Sequence, residues 1–286
     1  MLRTLNLSLL LATLLFFQPD LVVPEPIVDQ PPVYDPEPYR PGMTRSRYGT
    51  RATAWTWTPP GTVTAPILLY HRIEEHGPYD RFRVSPEDFR AQMQALKASG
   101  YTAIPISRLV EAITVGAALP SRPVVITFDD GWRSVYDEAF PIMQELRMTG
   151  VVYLVSSGIY SDPTMMHVAE LEELAAAGWE IGSHTRTHPD LTQCAESLAD
   201  EIRGSRTDLE MALGLPVRTL AYPFGGMDER VSSAMWSGGY SAGVGLGSSW
   251  EHNRWTLHYL NRIEVYGTTD LAGFAVLLPW ANPETP

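Results

Sequence analysis

The sequence predicts an α/β domain over residues 65–280 of the 286-residue chain, built as a (β/α) barrel of seven or eight strands. Strand-like and helix-like segments alternate from Ala65 onward, which is typical of mostly parallel sheets. Seven or eight strands in this order are enough to close a barrel. Polar residues also come directly after several predicted strands, and in such barrels the chemistry lies at the C-terminal strand ends.

The predicted strands are short apolar runs rich in β-branched and aromatic residues and bounded by turn-forming residues. In chain order they cover residues 66–71, 102–106, 124–128, 151–155, 179–183, 219–222, 240–244 and 260–265.

The predicted helices have apolar residues three or four positions apart and recognisable start and stop signals. Ser85-Pro86-Glu87-Asp88 opens the first helix with a capping-box pattern, and Gly100 stops it. The others cover residues 109–113, 136–146, 168–177, 193–213 and 229–236.

The N-terminal residues have the composition of an export signal. Arg3 is a positive n-region and Leu5 to Phe17 an apolar h-region, shorter than the roughly 20 residues that span a bilayer. No small-residue cleavage site follows Phe17. Residues 1–18 are therefore expected to be a signal peptide or a signal anchor, and the protein to be extracytoplasmic, either secreted or anchored at the cell surface.

Composition separates the rest of the chain into three parts. Residues 19–64 are Pro-rich and predicted to be an extended, semi-rigid linker, residues 65–280 the barrel domain, and residues 281–286 a tail. The net charge of −12 gives no support to binding nucleic acid or an anionic membrane surface. Because Cys194 is the only cysteine, an intrachain disulfide is excluded.

Two segments contain residues suited to metal-assisted hydrolysis. The apolar strand over 124–128 ends in Asp129, Asp130 and a glycine, and His184 and His188 follow downstream, on one face if their turn is helical. Two imidazoles and one carboxylate form an open-sided site for a divalent cation, with positions left for water and substrate. The second Asp is then free to act as a base.

These residues belong to three motifs that resemble, in order and spacing, the first three motifs of the polysaccharide deacetylase family, the NodB-homology domain of carbohydrate esterase family 4. The motifs are Thr127-Phe128-Asp129-Asp130-Gly131, Ser183-His184-Thr185-Arg186-Thr187-His188 and Ala221-Tyr222-Pro223-Phe224-Gly225. The resemblance covers roughly residues 65–278. It implies a distorted (β/α) barrel, one divalent metal, usually Zn²⁺, and removal of acetyl groups from N-acetylated sugars.

Residue by residue, the resemblance makes Asp129 the base and Asp130, His184 and His188 the metal ligands. The backbone N–H of Phe224 would help to hold the oxyanion, although a Tyr is commoner at this position.

The segment Pro66-Ile67-Leu68-Leu69-Tyr70-His71-Arg72-Ile73 resembles the subgroup that includes poly-N-acetylglucosamine deacetylases. In that subgroup the strand order is permuted and the general acid is the histidine of this N-terminal Tyr-His, here His71. The alternative acid is His258. The main branch takes its acid from a late Leu-x-x-His motif, which has no clean counterpart in this chain, although Leu257-His258 lies nearby.

Several positions are left open by the sequence. The main branch has an Arg where this chain has Ala221, and either Arg218 or Arg262 could supply that charge beside Asp129. Trp132 is placed either to stack on a sugar or to pack in the core. Three further histidines lie in loop-like stretches and are interpreted as solvated: His76, His167 and His252.

The leading hypothesis is a monomeric, metal-dependent N-deacetylase acting on an N-acetylated polysaccharide, with contact to a membrane only through the N-terminal segment. A second hypothesis keeps the site and changes the substrate to an O-acetyl ester or a small amide. A third is a glycan-binding domain that retains the fold without catalysis.

Overall fold

The computed structural model describes residues 55–75, 80–160 and 162–280. Its strands are, in chain order, β1 Thr56–Thr58, β2 Val63–Thr64, β3 Ile67–Tyr70, β4 Arg72–Ile73, β5 Arg83–Val84, β6 Thr102–Ala103, β7 Ala117–Leu119, β8 Pro123–Phe128, β9 Val151–Leu154, β10 Glu180–Ser183, β11 Thr219–Ala221, β12 Ala242–Leu246, β13 Glu251–His252 and β14 Leu260–Glu264.

The α-helices within the same residues are α1 Pro86–Ala98, α2 Ile106–Thr114, α3 Phe140–Leu146, α4 Val168–Ala176, α5 Ser205–Leu213, α6 Glu229–Ser237 and α7 Leu271–Val276. A π-helical turn precedes α3 at Val135–Ala139 and another precedes α5 at Asp200–Gly204, and a 3₁₀ turn covers Pro223–Gly225. Among the described residues, no helix is long and apolar enough to span a membrane.

Seven parallel strands form a closed barrel, which confirms the predicted fold class. Their order is β3-β14-β12-β11-β10-β9-β8, and β8 pairs back with β3, while β6 pairs with β8 outside this ring. Strand β3 therefore lies between β14 and β8, with Leu68 aligned with Ile263 on one side and Ile126 on the other.

Side chains alternate between the two faces of each barrel strand, and both faces are buried. Leu68 and Ile126 pack in the cluster that contains the apolar residues of α1, whereas Ile67, Val125 and Tyr153 belong to a second cluster inside the barrel. His71 and Asp129 directly follow β3 and β8, so both lie at the mouth of the barrel, where these strands end.

The observed elements depart from the predicted ones where local side chains compete with the expected pattern. The strand predicted over 102–106 ends at Ala103, because Pro105 adopts the extended N-cap conformation of α2. The helix predicted over 193–213 becomes helical only at Leu198, since the Asp190 side chain accepts hydrogen bonds from the Thr192 amide and hydroxyl and holds a turn instead.

Two short antiparallel pairings involve residues that the sequence assigns to the linker. Strand β1 pairs with β7, and β2 pairs with β13. Thus the described part of the expected linker, residues 55–64, contains strands. The remainder of the linker, the signal segment, His76 and the tail lie outside the described residues.

His252 of β13 is buried rather than solvated as predicted. Its ring Nε2 lies 3.1 Å from the carbonyl oxygen of Ala65, and its side chain is inaccessible to solvent. Burial lowers its pKa to about 4, so the ring is neutral in the folded protein. His167 caps α4, with its ring Nε2 3.0 Å from the carbonyl oxygen of Asp162.

Candidate metal and catalytic site

A cavity of about 410 Å³ opens at the C-terminal ends of the barrel strands. Most of the residues singled out from the sequence line it, namely His71, Asp129, Asp130, Trp132, His184, His188, Phe224 and Arg262. His258 and Arg218 are not among the described residues that line this cavity.

Asp129 forms a buried ion pair with Arg262. The guanidinium donates to both carboxylate oxygens, from Nη1 to Oδ1 at 2.6 Å and from Nη2 to Oδ2 at 2.7 Å, and both side chains are at most 3% exposed. Burial alone would raise the pKa of Asp129, but Arg262 and the nearby His184 lower it to about 2. Asp129 is therefore ionised at neutral pH.

The carboxylate of Asp130 faces both histidines of the second motif. Its Oδ1 lies 3.6 Å from Nε2 of His184 and 3.5 Å from Nε2 of His188, while its Oδ2 accepts a hydrogen bond from the Trp132 indole N–H at 2.8 Å. Asp130 adopts a positive φ of 72°, which a short polar side chain tolerates at a strand end. Because of this backbone conformation, the side chain of Asp130 points toward the two histidines while that of Asp129 points toward Arg262.

The ring orientation of His184 is set by its second nitrogen. Nδ1 lies 2.9 Å from the carbonyl oxygen of Ala221, which only accepts, so Nδ1 carries the proton and Nε2 has a free lone pair. Burial also lowers the pKa of His184, against the opposing effect of Asp129 and Asp130, and favours the neutral ring that can ligate a metal.

The loop from His184 to His188 is not a helical turn, in contrast to the arrangement considered from the four-residue spacing. Thr185 and His188 have φ values of 69° and 64°, and the backbone bends instead of winding. The two imidazoles still meet edge to face, with ring centroids 4.7 Å apart.

The donor set fits a divalent cation. One ligand atom from each of Asp130, His184 and His188 lies within 4.8 Å of the other two. Ligands bound at about 2.1 Å in tetrahedral geometry are about 3.4 Å apart, close to the separations from Asp130 Oδ1 to the two imidazole nitrogens. A carboxylate and two imidazoles leave coordination positions for water and substrate, as in catalytic zinc sites.

His71 lines the same cavity, at the end of β3 and next to the paired strand that carries Asp129. Its ring packs against Phe82, with centroids 4.7 Å apart. Burial lowers the pKa of His71, while the charges of Asp129 and Asp130 oppose this effect. His258 lies two residues before β14, at the N-terminal end of that strand and away from the cavity. Its carbonyl oxygen accepts a hydrogen bond from the hydroxyl of Tyr222 at 2.7 Å.

The structure also separates the two arginine candidates. Arg262 lies within β14 and points into the barrel toward Asp129, whereas Arg218 precedes β11 at the end of the strand remote from the cavity. Because side chains alternate along a strand, the position of Arg262 inside a predicted strand was the signal that could have favoured it.

Aromatic groups form part of the rim of the cavity. The Arg72 guanidinium lies 3.3 Å from the centre of the Trp132 ring. Phe224 has a positive φ of 58° and an exposed ring whose centroid is 4.9 Å from that of His188. Arg72 and Phe82 were missed from the sequence, and the signal for Arg72 was its place directly after His71.

Comparison with known proteins gives consistent matches. Residues 116–243 match the family model described as polysaccharide deacetylase. The Bacillus subtilis (strain 168) protein YxkH is 26% identical over 180 residues, which are 63% of this chain and 63% of that protein. The poly-beta-1,6-N-acetyl-D-glucosamine N-deacetylase of Staphylococcus epidermidis is 25% identical over an alignment of 210 residues, which covers 64% of this chain and 72% of that protein.

The fold is shared with solved structures as well. The crystal structure of a polysaccharide deacetylase from Bacillus cereus aligns with a TM-score of 0.67 at 27% identity, covering 76% of this chain and 69% of that one. The three motifs, the closed seven-stranded barrel and these matches together show that the chain is similar to the polysaccharide deacetylase family, whose model matches 128 of its 286 residues.

Proposed function

We propose that this protein is a metal-dependent hydrolase that removes N-acetyl groups from a polysaccharide containing N-acetylglucosamine and releases acetate. The observation that carries the proposal is one cavity in which the ionised Asp129, paired with Arg262, adjoins the donor set of Asp130, His184 and His188. The Staphylococcus epidermidis relative, named as a poly-beta-1,6-N-acetyl-D-glucosamine N-deacetylase, supports an N-acetylated glucosamine polymer as the substrate class.

The metal is proposed to be one Zn²⁺ held by Asp130, His184 and His188. When bound, such an ion acts as a Lewis acid toward an amide carbonyl and lowers the pKa of water. The protein holds this donor set with fixed partners: Ala221 fixes the tautomer of His184, and the Trp132 indole occupies the second oxygen of Asp130.

Asp129 is proposed to act as the general base. Its Oδ2 lies 3.6 Å from Nε2 of His184, so the carboxylate borders the proposed metal site and can accept a proton from water there. The bidentate bond from Arg262 fixes the direction of the carboxylate and keeps it ionised. A low pKa makes Asp129 a weak base in isolation, so the lowered pKa of the attacking water is a necessary part of the step.

His71 is proposed to act as the general acid. Breaking the C–N bond leaves an amine, a poor leaving group that must receive a proton as it departs. His71 approaches the cavity from β3; burial lowers its pKa, and the negative charges of Asp129 and Asp130 offset only part of this effect. The backbone N–H of Phe224, a residue that lines the same cavity, is proposed to help to hold the oxyanion.

The setting of the enzyme is part of the same proposal. We infer an extracytoplasmic monomer, secreted or held at the cell surface by residues 1–18, because its substrate class is an extracellular polymer. Trp132 is proposed to contact the sugar chain at the rim, where its ring already stacks with Arg72.

The alternatives differ in the substrates from which they release acetate. An O-acetyl esterase would release acetate from acetylated xylan and not from chitin-type oligomers, and a glycan-binding domain would release none. The test is acetate release from peptidoglycan, chitin oligomers and poly-N-acetylglucosamine, measured with stoichiometric Zn²⁺. Release from none of these polymers by zinc-loaded protein would refute the proposed function.

Two adjacent substitutions separate the proposed base from the proposed ligand. Asp129→Asn should keep the metal and lose about 10²–10⁴-fold in acetate release, the usual contribution of a general base. Asp130→Asn and His184→Ala should instead lose metal. Wild-type metal content in His184→Ala would contradict the ligand assignment, and less than a tenfold effect of Asp129→Asn would contradict its role as base.

A further inference from the structure

The loop that carries the proposed ligand His188 has a backbone that needs external support. Thr185 and His188 both adopt positive φ values, 69° and 64°, in the left-handed region that residues other than glycine rarely enter. Such conformations persist only where the surrounding structure holds them. The groups that hold this loop therefore determine where the imidazole of His188 lies.

Glu201 supplies the central support. One oxygen of its carboxylate accepts the backbone N–H groups of both Arg186 and Thr187 at 2.9 Å, and the other accepts the Thr187 hydroxyl at 2.6 Å. The side chain is 6% exposed and comes from the π-helical turn Asp200–Gly204. π-Helical turns are rare and frequently occur at functional sites.

The side chain of Arg186 ties the same loop to the following helix. Its guanidinium donates twice to Asp208, at 2.8 and 3.0 Å, and once to Asp200. Gly204 leaves room for it, since a Cβ there would lie 2.8 Å from the guanidinium carbon. The π-helical turn and α5 thus hold the loop in two ways: Glu201 binds the backbone of the loop, and Asp200 and Asp208 bind the side chain of Arg186.

We propose that Glu201 is a positioning residue for the metal site, acting through the 184–188 loop without touching the metal, the substrate or the reacting atoms. The inference rests on the metal site proposed above. Glu201 holds two consecutive amides between the two histidine ligands, so its loss frees the backbone that sets the distance from His184 to His188. Groups that hydrogen-bond a metal ligand directly typically contribute about 10–100-fold to metal binding, and we take the same range for Glu201, which holds the backbone between the two ligands.

The test measures Zn²⁺ affinity by competition with a chromogenic chelator. Glu201→Ala should bind Zn²⁺ about 10–100-fold more weakly than wild type, and Glu201→Asp should follow it because its carboxylate is one methylene short of the loop. Glu201→Gln should stay within about threefold of wild type, since its amide oxygen can accept both N–H groups and its NH₂ can donate to the Thr187 hydroxyl oxygen.

Glu210 provides the matched control. It lies on α5, and its carboxylate accepts the backbone N–H of Val217 and the side chain of Arg206, both at 3.0 Å, with no bond to the 184–188 loop among the described residues. Glu210→Ala removes a comparable set of helix contacts and should bind Zn²⁺ as wild type does. Equal weakening in both alanine variants would mean that loss of the helix, not of the loop, is responsible, and would overturn the proposal.

A measurement without metal completes the test. Amide hydrogen exchange at Arg186 and Thr187 should be faster in metal-free Glu201→Ala than in metal-free wild type, and unchanged in Glu210→Ala. If Glu201→Ala fails to fold, the comparison of Glu201→Asp with Glu201→Gln decides. Wild-type protein that binds no Zn²⁺ would refute the proposed function, whereas wild-type affinity in Glu201→Ala and Glu201→Asp would refute the role of Glu201 alone.

Discussion

Replacing Arg262 by methionine should destabilise the protein strongly and in a way that depends on pH. Methionine keeps much of the length and apolar volume of the side chain but leaves Asp129 buried without its partner. Removing one member of a buried ion pair costs about 3–5 kcal/mol. At pH 7 the metal-free variant should lose free energy of unfolding by that amount.

The pH dependence follows from the pKa of Asp129, which falls from its usual 3.8 to about 2 in the folded protein. At 1.36 kcal/mol per unit, this shift corresponds to about 2 kcal/mol of stability. Because the folded pKa is depressed, that stability is present above pH 3.8 and is lost as the pH falls from 3.8 toward 2. In Arg262→Met burial instead raises the pKa of Asp129, so acid favours the folded variant and the difference from wild type should shrink between pH 7 and pH 4.

Urea denaturation of metal-free protein, followed by circular dichroism at several pH values, measures both effects. Arg90→Met is the control, because its pair with Glu145 is exposed and such pairs contribute about 0–1 kcal/mol. A loss of less than about 1 kcal/mol in Arg262→Met, or a loss that does not change between pH 7 and pH 4, would refute the reasoning.

Four further substitutions test other parts of the structure. His71→Ala should lower acetate release by about 10²–10⁴-fold with metal content unchanged, whereas His258→Ala should stay active; the reverse pattern would assign the acid to His258. His252→Leu should make the free energy of unfolding less dependent on pH in acid. In the folded wild type burial lowers the pKa of His252 to about 4, whereas in the unfolded chain the ring is protonated below about pH 6.5. Wild type should therefore lose up to about 3 kcal/mol through this residue as the pH falls from 6.5 to 4, and the variant should not. The same change of the urea midpoint with pH in the two proteins would contradict this. Gly182→Ala should destabilise by about 1–3 kcal/mol because the new Cβ would lie 2.3 Å from the ring of Tyr153, and an unchanged melting temperature would contradict it.

The barrel was predictable because strand-forming runs and strand ends are local properties. The buried run of β8 and the carboxylates that follow it are adjacent in sequence, and parallel strands bring their C-terminal ends to one edge. This rule also placed His71 at the same mouth as Asp129. Ser85 illustrates a local signal that was sufficient, since its hydroxyl accepts the Asp88 amide at the start of α1 as the capping pattern predicts.

What escaped prediction depends on contacts between distant segments. The loop between the two histidines takes its shape from Glu201, which lies 14 residues after Thr187, and spacing alone suggested a helical turn. The choice of Arg262 over Arg218 required the register of β14 against its neighbours. Burial of His252 results from the pairing of β13 with β2, two strands too short to have a recognisable period.

The position of β3 between β14 and β8 has a consequence for how the molecule folds. Leu68 pairs with Ile263 across nearly the whole domain, and Arg262 reaches Asp129 across 133 residues. Contacts of such long sequence separation form slowly because loop-closure entropy must be overcome first. Until β14 arrives, the edges of β3 and β12 have no partner in the ring and are open to pairing with other chains. We therefore expect the last step of folding to close the barrel and complete the ion pair at once. A chain shortened before residue 260 would then lack Arg262 and remain prone to aggregation.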